Sequence, residues 1–319
     1  MKSLITITTC NRLHEVKKYI LPYIDFCNHN EDFDFLLSLD GNNPEYLDFC
    51  NEFHIPLLYS DEREGVGLSK NRVLTQFPDY DYYFFIEDDV ELIDGSVFQD
   101  NIDFSVENNV PHLSHRTWGY DSIKTITNGT IIIKGTKAAA QFCFFEAKAL
   151  FKIGGWNTLF AQYKRFGHSE HSYRFFHAGL QDYPFIALEA TSKKLFVHDP
   201  PHVTNIECDY IDNHYHPDEK ALIDQKTTYF PLQTLSKFHY NGFDMNYNKV
   251  VAEYLQNNRK KYPLVKGKER CKCFGGMYLY KAQNTKMWFM KWVYLSISFL
   301  LFSKSSSLRH FIKQELHLI

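Results

Sequence analysis

Three adjacent carboxylates, Glu87, Asp88 and Asp89, directly follow the apolar run 82–86. Carboxylates crowded at the end of a buried strand repel one another, and burial raises their pKa values unless a cation neutralises them. A hard divalent ion such as Mg²⁺ or Mn²⁺ prefers oxygen ligands and bridges readily to phosphates. A solvated acidic turn without a ligand is the alternative. The buried strand before the cluster favours the metal site.

The elements that would position this cluster alternate between strand and helix over the first 90 residues. The predicted strands are apolar or β-branched runs at 3–9, 33–39, 55–59 and 82–86. One predicted helix follows each of the first three strands. The first helix ends at about residue 26, and the other two span 44–53 and 67–76. This order is typical of an α/β fold with a parallel sheet, in which ligands bind at the carboxyl ends of the strands. We therefore expect residues 8–12, Asp40 and the acidic cluster to share one sheet edge.

The middle of the chain is more mixed. Strands are predicted at 112–114 and 130–134, and helices at 145–153 and 169–178. Gly154, Gly155 and Trp156 are predicted to end the first of these helices, and Gly179 to close the second.

Five segments, in this order along the chain, resemble motifs of the family 2 glycosyltransferases of the GT-A fold. They are Thr9-Cys10-Asn11-Arg12, Leu39-Asp40-Gly41, the segment 65–72, Glu87-Asp88-Asp89 and Gly154-Gly155-Trp156-Asn157. The likeness covers about residues 3–200. It implies an α/β, GT-A type, Rossmann-like mixed sheet flanked by helices, and a largely inverting transfer from a nucleotide-diphosphate sugar with a DxD metal motif.

The resemblance implies a nucleotide-sugar-binding role for eight residues: Thr9, Asn11, Arg12, Asp40, Lys70, Asn71, Arg72 and Asp88. Lys70 and Arg72 stand at a predicted helix start, where free backbone N–H groups also favour phosphate. An exposed helix face is the alternative for both cations. Asp40 could instead form a turn by bonding its own backbone.

The metal ligands implied are Asp89 first, with Asp88 and Glu87 behind it, and His198 at the end of a predicted strand as a further ligand, with His202 as the weaker candidate. A structural histidine is the alternative for His198. The expected cofactor is Mn²⁺ or Mg²⁺, which would stabilise the charge on the diphosphate leaving group.

Transfer to a hydroxyl also needs a general base. The family places an acidic pair about a dozen residues after its Gly-Gly segment, but here residues 166–174 hold only one carboxylate, Glu170. We predict Glu170 as the base, with His171 and His168 as competitors. The alternative makes Glu170 an acid favoured by the helix dipole. Trp118 and Trp156 are candidate platforms for the acceptor sugar, and core packing explains either equally well.

Composition narrows the class of protein. A net charge of -3 gives no general attraction to nucleic acid. Seven scattered cysteines and a polar N-terminus without a signal peptide favour a reducing cytoplasm. Cys271-x-Cys273 lacks the partners of a zinc site.

The predicted domains are a catalytic domain over 1–225 and a mostly helical extension over 226–319. The extension has a basic stretch at 259–272 and an apolar run at 287–302 that is too short to span a membrane. These features predict peripheral contact with the inner face of the cytoplasmic membrane; a core helix is the alternative.

The sequence thus predicts a metal-dependent glycosyltransferase of polysaccharide synthesis, with a UDP-sugar as the first expected donor and a glycan or lipid-linked acceptor. A sugar nucleotidyltransferase would share the sheet, the nucleotide and the metal, but it would need a glycine-rich loop after the first strand. A catalytically inactive nucleotide- or sugar-binding protein is the second alternative.

Overall fold

The computed structural model describes residues 1–118, 122–163, 167–198, 226–245, 292–293 and 295–297, without the side chains of Trp118 and residues 161–163. The chain forms two compact units. One unit comprises Met1–Phe196 and Pro200–Tyr262, and the other comprises Val197–Asp199 and Pro263–Ile319.

A seven-stranded mixed sheet forms the centre of the first unit, in the order β14-β3-β2-β1-β4-β11-β6. Its strands are β1 Ser3–Thr9, β2 Phe33–Leu39, β3 Leu57–Ser60, β4 Tyr82–Glu87, β6 His112–Ser114, β11 Phe142–Glu146 and β14 Phe238–Tyr240. The four strands β3, β2, β1 and β4 run parallel, whereas β11, β6 and β14 are added in antiparallel pairings. The predicted α/β fold with a mixed sheet flanked by helices is confirmed.

The remaining strands form smaller sheets. They are β5 Val90–Leu92, β7 Thr117–Trp118, β8 Ile123–Thr127, β9 Thr130–Gly135, β10 Lys137–Ala138, β12 Phe185–Leu188 and β13 Leu195–Val197. The helices are α1 Leu13–Asn28, α2 Pro44–Glu52, α3 Val66–Gln76, α4 Ser96–Asn108, α5 Ala147–Ile153, α6 Thr158–Tyr163, α7 Gly167–His177 and α8 Thr191–Lys194.

Both faces of the main sheet are covered by helices. On one face, Val73 of α3, Leu150 of α5 and Phe175 of α7 pack with Phe85 in a single core cluster. On the other face, Phe26 of α1 and Phe98 of α4 contact each other, and each packs edge-on against a phenylalanine ring of the sheet. This double cover explains why β4 is a continuous apolar run, since a strand buried on both faces has no polar alternation.

The chain reverses its direction of travel across the sheet at β1. From β1 it proceeds to β2 and β3 on one side, and then crosses to β4 on the other side. The carboxyl ends of β1 and β4 therefore lie next to each other with their following loops leading apart. Such a switch point opens a crevice, which is the usual ligand site of an open α/β sheet.

Residues assigned to the C-terminal extension from the sequence also contribute to the main sheet, because β14 pairs with β3. The division of the chain near residue 225 falls outside the described residues and stays a prediction. The basic stretch 259–272, most of the apolar run 287–302 and His202 also lie outside them. In the part of the chain that is described, no helix is long and apolar enough to cross a membrane. Membrane contact and cytoplasmic location remain predictions.

Candidate active site at the β1 and β4 switch point

The acidic cluster lies beside the turn that follows β1. Thr8 pairs with Glu87 in the parallel register, so the chain leaves β1 next to the point where it leaves β4. Asn11 has a φ of 53°, in the left-handed region that asparagine tolerates. This turn brings Arg12 back over the acids. Asn11 itself is exposed and lines a surface cleft of about 230 Å³ together with Tyr46.

Asp88 is held by a chain of hydroxyl groups. The Thr9 hydroxyl donates to Asp88 Oδ2 over 2.7 Å and lies 2.7 Å from the Tyr46 hydroxyl. The Tyr46 oxygen in turn accepts the backbone N–H of Arg12 over 3.0 Å. Tyr46, which the sequence analysis missed, thus fixes the β1 turn and Asp88 relative to each other.

Arg12 supplies the first counter-charge of the site. Its guanidinium bonds Asp88 through Nε at 3.2 Å and also pairs with Asp88 Oδ1 through Nη2. Nη1 lies 3.5 Å from Asp89 Oδ2. A guanidinium fork that engages both oxygens of a carboxylate is a strong and directional pair.

The acidic cluster still carries more negative charge than its surroundings neutralise. Burial and the charge of Asp89 raise the pKa of Glu87 to about 7, against the opposing effects of Lys70 and Arg12. Burial also raises the pKa of Asp88 to about 6, although Arg12 and the Thr9 hydroxyl oppose this. Both shifts indicate that a further cation would be bound favourably here.

The carboxylates present fit a divalent ion that takes some of its ligands from the protein and the others from a bound substrate. Asp88 makes the closest contacts with Arg12, so Glu87 and Asp89 are the first candidates for metal ligands, although Asp89 also lies 3.5 Å from Arg12. Among the described residues, no group of three or more His, Cys, Asp or Glu side chains is placed so that it could hold a metal ion by itself. Mg²⁺ and similar ions are commonly held by one or two carboxylates together with water and substrate phosphates. His198 is buried and belongs to the second compact unit, so its role as a ligand stays a prediction.

Lys70 of α3 supplies the second positive charge, from a buried position. It is only 2% exposed, and its Nζ lies 5.2 Å from the Trp156 ring and 5.7 Å from the Phe85 ring. Within the described residues its ammonium has no hydrogen-bond acceptor. The alternative of an exposed helix face is wrong for Lys70 and Arg72, because both are buried.

Asp40 and Arg72 are occupied by the protein itself. Asp40 accepts the backbone N–H groups of Glu64 and Gly65, at 2.9 and 2.8 Å, just before α3 begins. Arg72 donates to Asp40 over 3.3 Å and to Glu64 over 2.5 Å. In this structure the two side chains fix the loop before α3, and their contact with a nucleotide stays a prediction.

Asn71 and Trp156 also have structural partners. The Asn71 amide donates to the carbonyls of Trp156 and Gln233, at 2.9 and 2.8 Å, and its oxygen accepts Trp156 N–H at 2.7 Å. Trp156 is 2% exposed and stacks on His171 with a centroid separation of 3.9 Å. The packing alternative for Trp156 is therefore the one that the geometry favours over an acceptor platform. The side chain of Trp118 lies outside the described residues.

Glu170 is 3% exposed and paired with Arg174 through two contacts, at 2.8 and 3.1 Å. Burial raises its pKa, and the charge of Arg174 opposes that rise. Arg174 also donates to the carbonyls of Ile153 and Gly155, at 2.7 and 2.6 Å. The pair thus holds the turn after α5. The sequence analysis missed this pair, which the spacing of four residues between Glu170 and Arg174 on a predicted helix could have indicated.

His171 and His168 are the two histidine candidates for the base. Burial and the nearby Arg174 charge lower the pKa of His171 well below its ordinary value, so its imidazole is neutral. Its Nε2 lies 3.2 Å from the Gly154 carbonyl, and its buried Nδ1 has no partner in the described structure. Burial lowers the pKa of His168 to about 4, and its Nε2 lies 3.1 Å from the Ala138 carbonyl.

Comparison with known proteins gave matches among solved structures alone. No family model matches the sequence, and no curated protein matches it. S. aureus TarS 1–349 in complex with UDP is similar over 87% of this chain and 80% of that chain, with 11% identity and a TM-score of 0.49. The mannosyltransferase PcManGT from Pyrobaculum calidifontis, in complex with GDP-Man and Mn²⁺, is similar over 95% and 88%, with 13% identity and a TM-score of 0.47.

GalNAc-T7 with UDP, GalNAc and Mn²⁺ is similar over 59% of this chain and 42% of that chain, with 11% identity and a TM-score of 0.43. All three identities are below 25% and all three TM-scores are below 0.5. The function proposed below therefore depends on the side chains of the site.

Proposed function

We propose that this chain is a metal-dependent glycosyltransferase that takes a sugar from a nucleoside-diphosphate donor. The observation that carries the proposal is the buried surplus of carboxylate at the β1 and β4 switch point, flanked by Arg12 and Lys70. A site of this kind would bind a divalent cation and a diphosphate together. The cation compensates the carboxylates, and the diphosphate compensates the cation together with Arg12 and Lys70. The site also lies in the crevice where an open α/β sheet holds its ligands.

Each charged group has a separate part in the proposed reaction. Glu87 and Asp89 would hold Mn²⁺ or Mg²⁺, which supplies positive charge to the departing diphosphate when it is bound. Arg12 keeps Asp88 in place and adds positive charge at the edge of the site. Lys70 adds a second cation from a position shielded from water, where its field is stronger than at the surface.

Fewer contacts support the assignment of the general base and the acceptor site than support the donor and metal site. Inverting transfer requires a base that removes the proton from the acceptor hydroxyl. Glu170 is bound to Arg174 and His171 lies under Trp156, so neither is exposed to an acceptor in this structure. The assignment of the base to either residue, the inversion, and a glycan or lipid-linked acceptor in polysaccharide synthesis all stay proposals.

A donor screen tests the proposal. The full chain is incubated with UDP-, GDP- and CMP-sugars and Mn²⁺, and the release of nucleotide is measured with and without EDTA. We expect metal-dependent release of UDP or GDP from at least one sugar, and no release in EDTA. Nucleotide binding without turnover of any donor would indicate the inactive binding protein. Release of pyrophosphate from a nucleoside triphosphate and a sugar phosphate would indicate the nucleotidyltransferase.

A further inference from the structure

Several polar groups lie next to the proposed metal site, on the face of the sheet that α3 covers. The Glu87 N–H donates to the Gln141 carbonyl over 3.0 Å, which places Gln141 opposite Glu87, directly before β11 begins. One step into the sheet, Cys143 is opposite both Phe85 and Ser114. Residues opposite each other in antiparallel strands point to the same face. Gln141 and Ser114 therefore share the face of Glu87 and Phe85.

Lys70 reaches the same patch of this face from α3. Its Nζ lies 5.7 Å from the Phe85 ring. Its charge also lowers the pKa values of Glu87 and Cys143 against larger effects of burial. The ammonium group thus lies close to both sets of opposed residues, the pair Glu87 and Gln141 and the set Phe85, Cys143 and Ser114.

The polar atoms of this patch are buried without partners. Ser114 is 1% exposed, and neither its hydroxyl nor the buried side-chain oxygen of Gln141 has a hydrogen-bond partner in the described structure. A buried polar atom without a partner is costly, and native proteins rarely tolerate several together unless a ligand or water satisfies them. A hydroxyl, an amide and an ammonium together provide donors and acceptors in the mixture that a sugar's hydroxyl groups require.

The charges of the patch restrict which sugar fits. Glu87 lies beside it, opposite Gln141, and two further carboxylates, Asp88 and Asp89, follow Glu87 directly. A carboxylate on the sugar would add a further negative charge next to these acids, whereas neutral hydroxyl groups add none. The single ammonium of Lys70 cannot compensate both the diphosphate and an acidic sugar.

We propose that Ser114 and Gln141, beside Lys70, form the subsite that holds the transferred sugar, and that this subsite accepts a neutral sugar and rejects an acidic one. The inference rests on the proposed glycosyltransferase function, because it places the sugar next to the metal-bound diphosphate. It adds two specificity-determining residues that none of the five sequence motifs contains.

The test compares the affinities of two classes of ligand for the same variants. Binding of UDP, GDP, UDP-glucose, UDP-glucuronate and GDP-mannose is measured by calorimetry with Mn²⁺ for wild type, Gln141→Met and Ser114→Ala. We expect wild type to bind a neutral nucleotide-sugar more tightly than the matching nucleotide, and UDP-glucuronate less tightly than UDP-glucose. Each variant should lose about tenfold in affinity for the neutral nucleotide-sugar, while its affinity for UDP or GDP stays within about twofold.

Gln181→Met is the matched control, because Gln181 also has a buried oxygen without a partner but lies in the turn before β12. It should change none of these affinities. Thermal unfolding confirms that each variant is folded. Equal losses for the nucleotide and its sugar, no loss for either, or preferred binding of UDP-glucuronate would overturn the subsite. A wild-type chain that binds neither UDP nor GDP would instead contradict the proposed function itself.

Discussion

At the scale of single residues, the site depends on how the protein manages buried charge. Arg12 compensates Asp88 through a fork of contacts, and a hydroxyl chain from Tyr46 through Thr9 stabilises the same carboxylate. Glu87 receives no such compensation, and its pKa is raised to about 7. Both acids would gain from a further cation, and Glu87 would gain more because Asp88 is already paired with Arg12.

Glu87 makes the stability of the metal-free protein depend on pH. Its folded-state pKa lies above that of an unfolded glutamate, so the folded protein binds the extra proton between about pH 4.5 and 7. The free energy of unfolding should therefore fall as the pH rises through this window. We predict that Glu87→Gln reduces this fall, leaving the smaller part that comes from the raised pKa of Asp88, and is about 1–3 kcal/mol more stable than wild type at pH 8. Urea unfolding at pH 5 and pH 8 without metal measures it.

The same variant reports on the metal. Mn²⁺ competes with the proton on Glu87, so it should stabilise wild type more at pH 8 than at pH 6, and should stabilise Glu87→Gln little at either pH. Glu52→Gln, a change at an exposed acid, is the control and should behave as wild type. If the free energy of unfolding depends on pH in the same way for wild type and Glu87→Gln, the pKa of Glu87 is not raised in the folded protein.

At the scale of elements, the turn after α5 is the most constrained part of the site. Asn71 of α3 and Arg174 of α7 bind its backbone, and the Phe230 carbonyl accepts the N–H of Gly155 over 3.0 Å. The sequence correctly placed the end of the helix at Gly154, since glycine after a predicted helix is a local signal. It could not show that Asn71 serves this turn, because the partners are 85 residues apart.

Substitution of Gly154 tests this constraint. Gly154 has a φ of +79°, and an added Cβ would lie 1.8 Å from the Phe230 carbonyl oxygen. We predict that Gly154→Ala lowers the free energy of unfolding by about 3 kcal/mol or more, through strain and overlap. Gly179→Ala is the matched control, because Gly179 has a φ of +66° with open space around it. Its cost should be about 1 kcal/mol; equal costs in denaturant unfolding would contradict the close approach.

The Glu170–Arg174 pair joins α7 to the same turn and gives a second prediction at this scale. Glu170→Gln leaves Arg174 buried without its carboxylate, although its two carbonyl contacts remain. We predict a loss of about 2–4 kcal/mol in the free energy of unfolding, with affinity for the nucleotide nearly unchanged while the protein is folded. Chemical denaturation and calorimetry measure the two quantities, with the exposed Glu107→Gln as control. Unchanged stability together with a 10²–10⁴-fold loss of turnover would return Glu170 to the role of base.

At the scale of the whole molecule, the sheet topology creates the site. The sequence predicted β1, β2 and the approximate positions of β3, β4 and β6, because strands buried in a parallel sheet are visible as apolar runs. The residues 142–146 form β11, whereas the sequence placed the start of a helix at Phe145. A short apolar run fits either element, and pairing with β4 decides it. The addition of β14 beside β3 left no local signal at all.

The sequence predicted the location of the charged residues of the site about as well as it predicted the strands. Their position at one sheet edge followed from the order of strands and helices, and the raised pKa values followed from burial of the crowded carboxylates. The internal use of Asp40, Asn71 and Arg72 was not predictable, since a residue type does not reveal whether its partner is a ligand or the backbone.

The central claim is that a divalent metal and a diphosphate bind together at the switch point. Calorimetric binding of UDP and GDP to wild type and Asp89→Ala, each with Mn²⁺ and with EDTA, tests it most directly. We predict that wild type binds UDP or GDP in Mn²⁺ and at least about tenfold more weakly in EDTA, and that Asp89→Ala, though folded, loses the Mn²⁺-dependent part. Nucleotide binding that is the same in EDTA, or unchanged in Asp89→Ala, would contradict the claim.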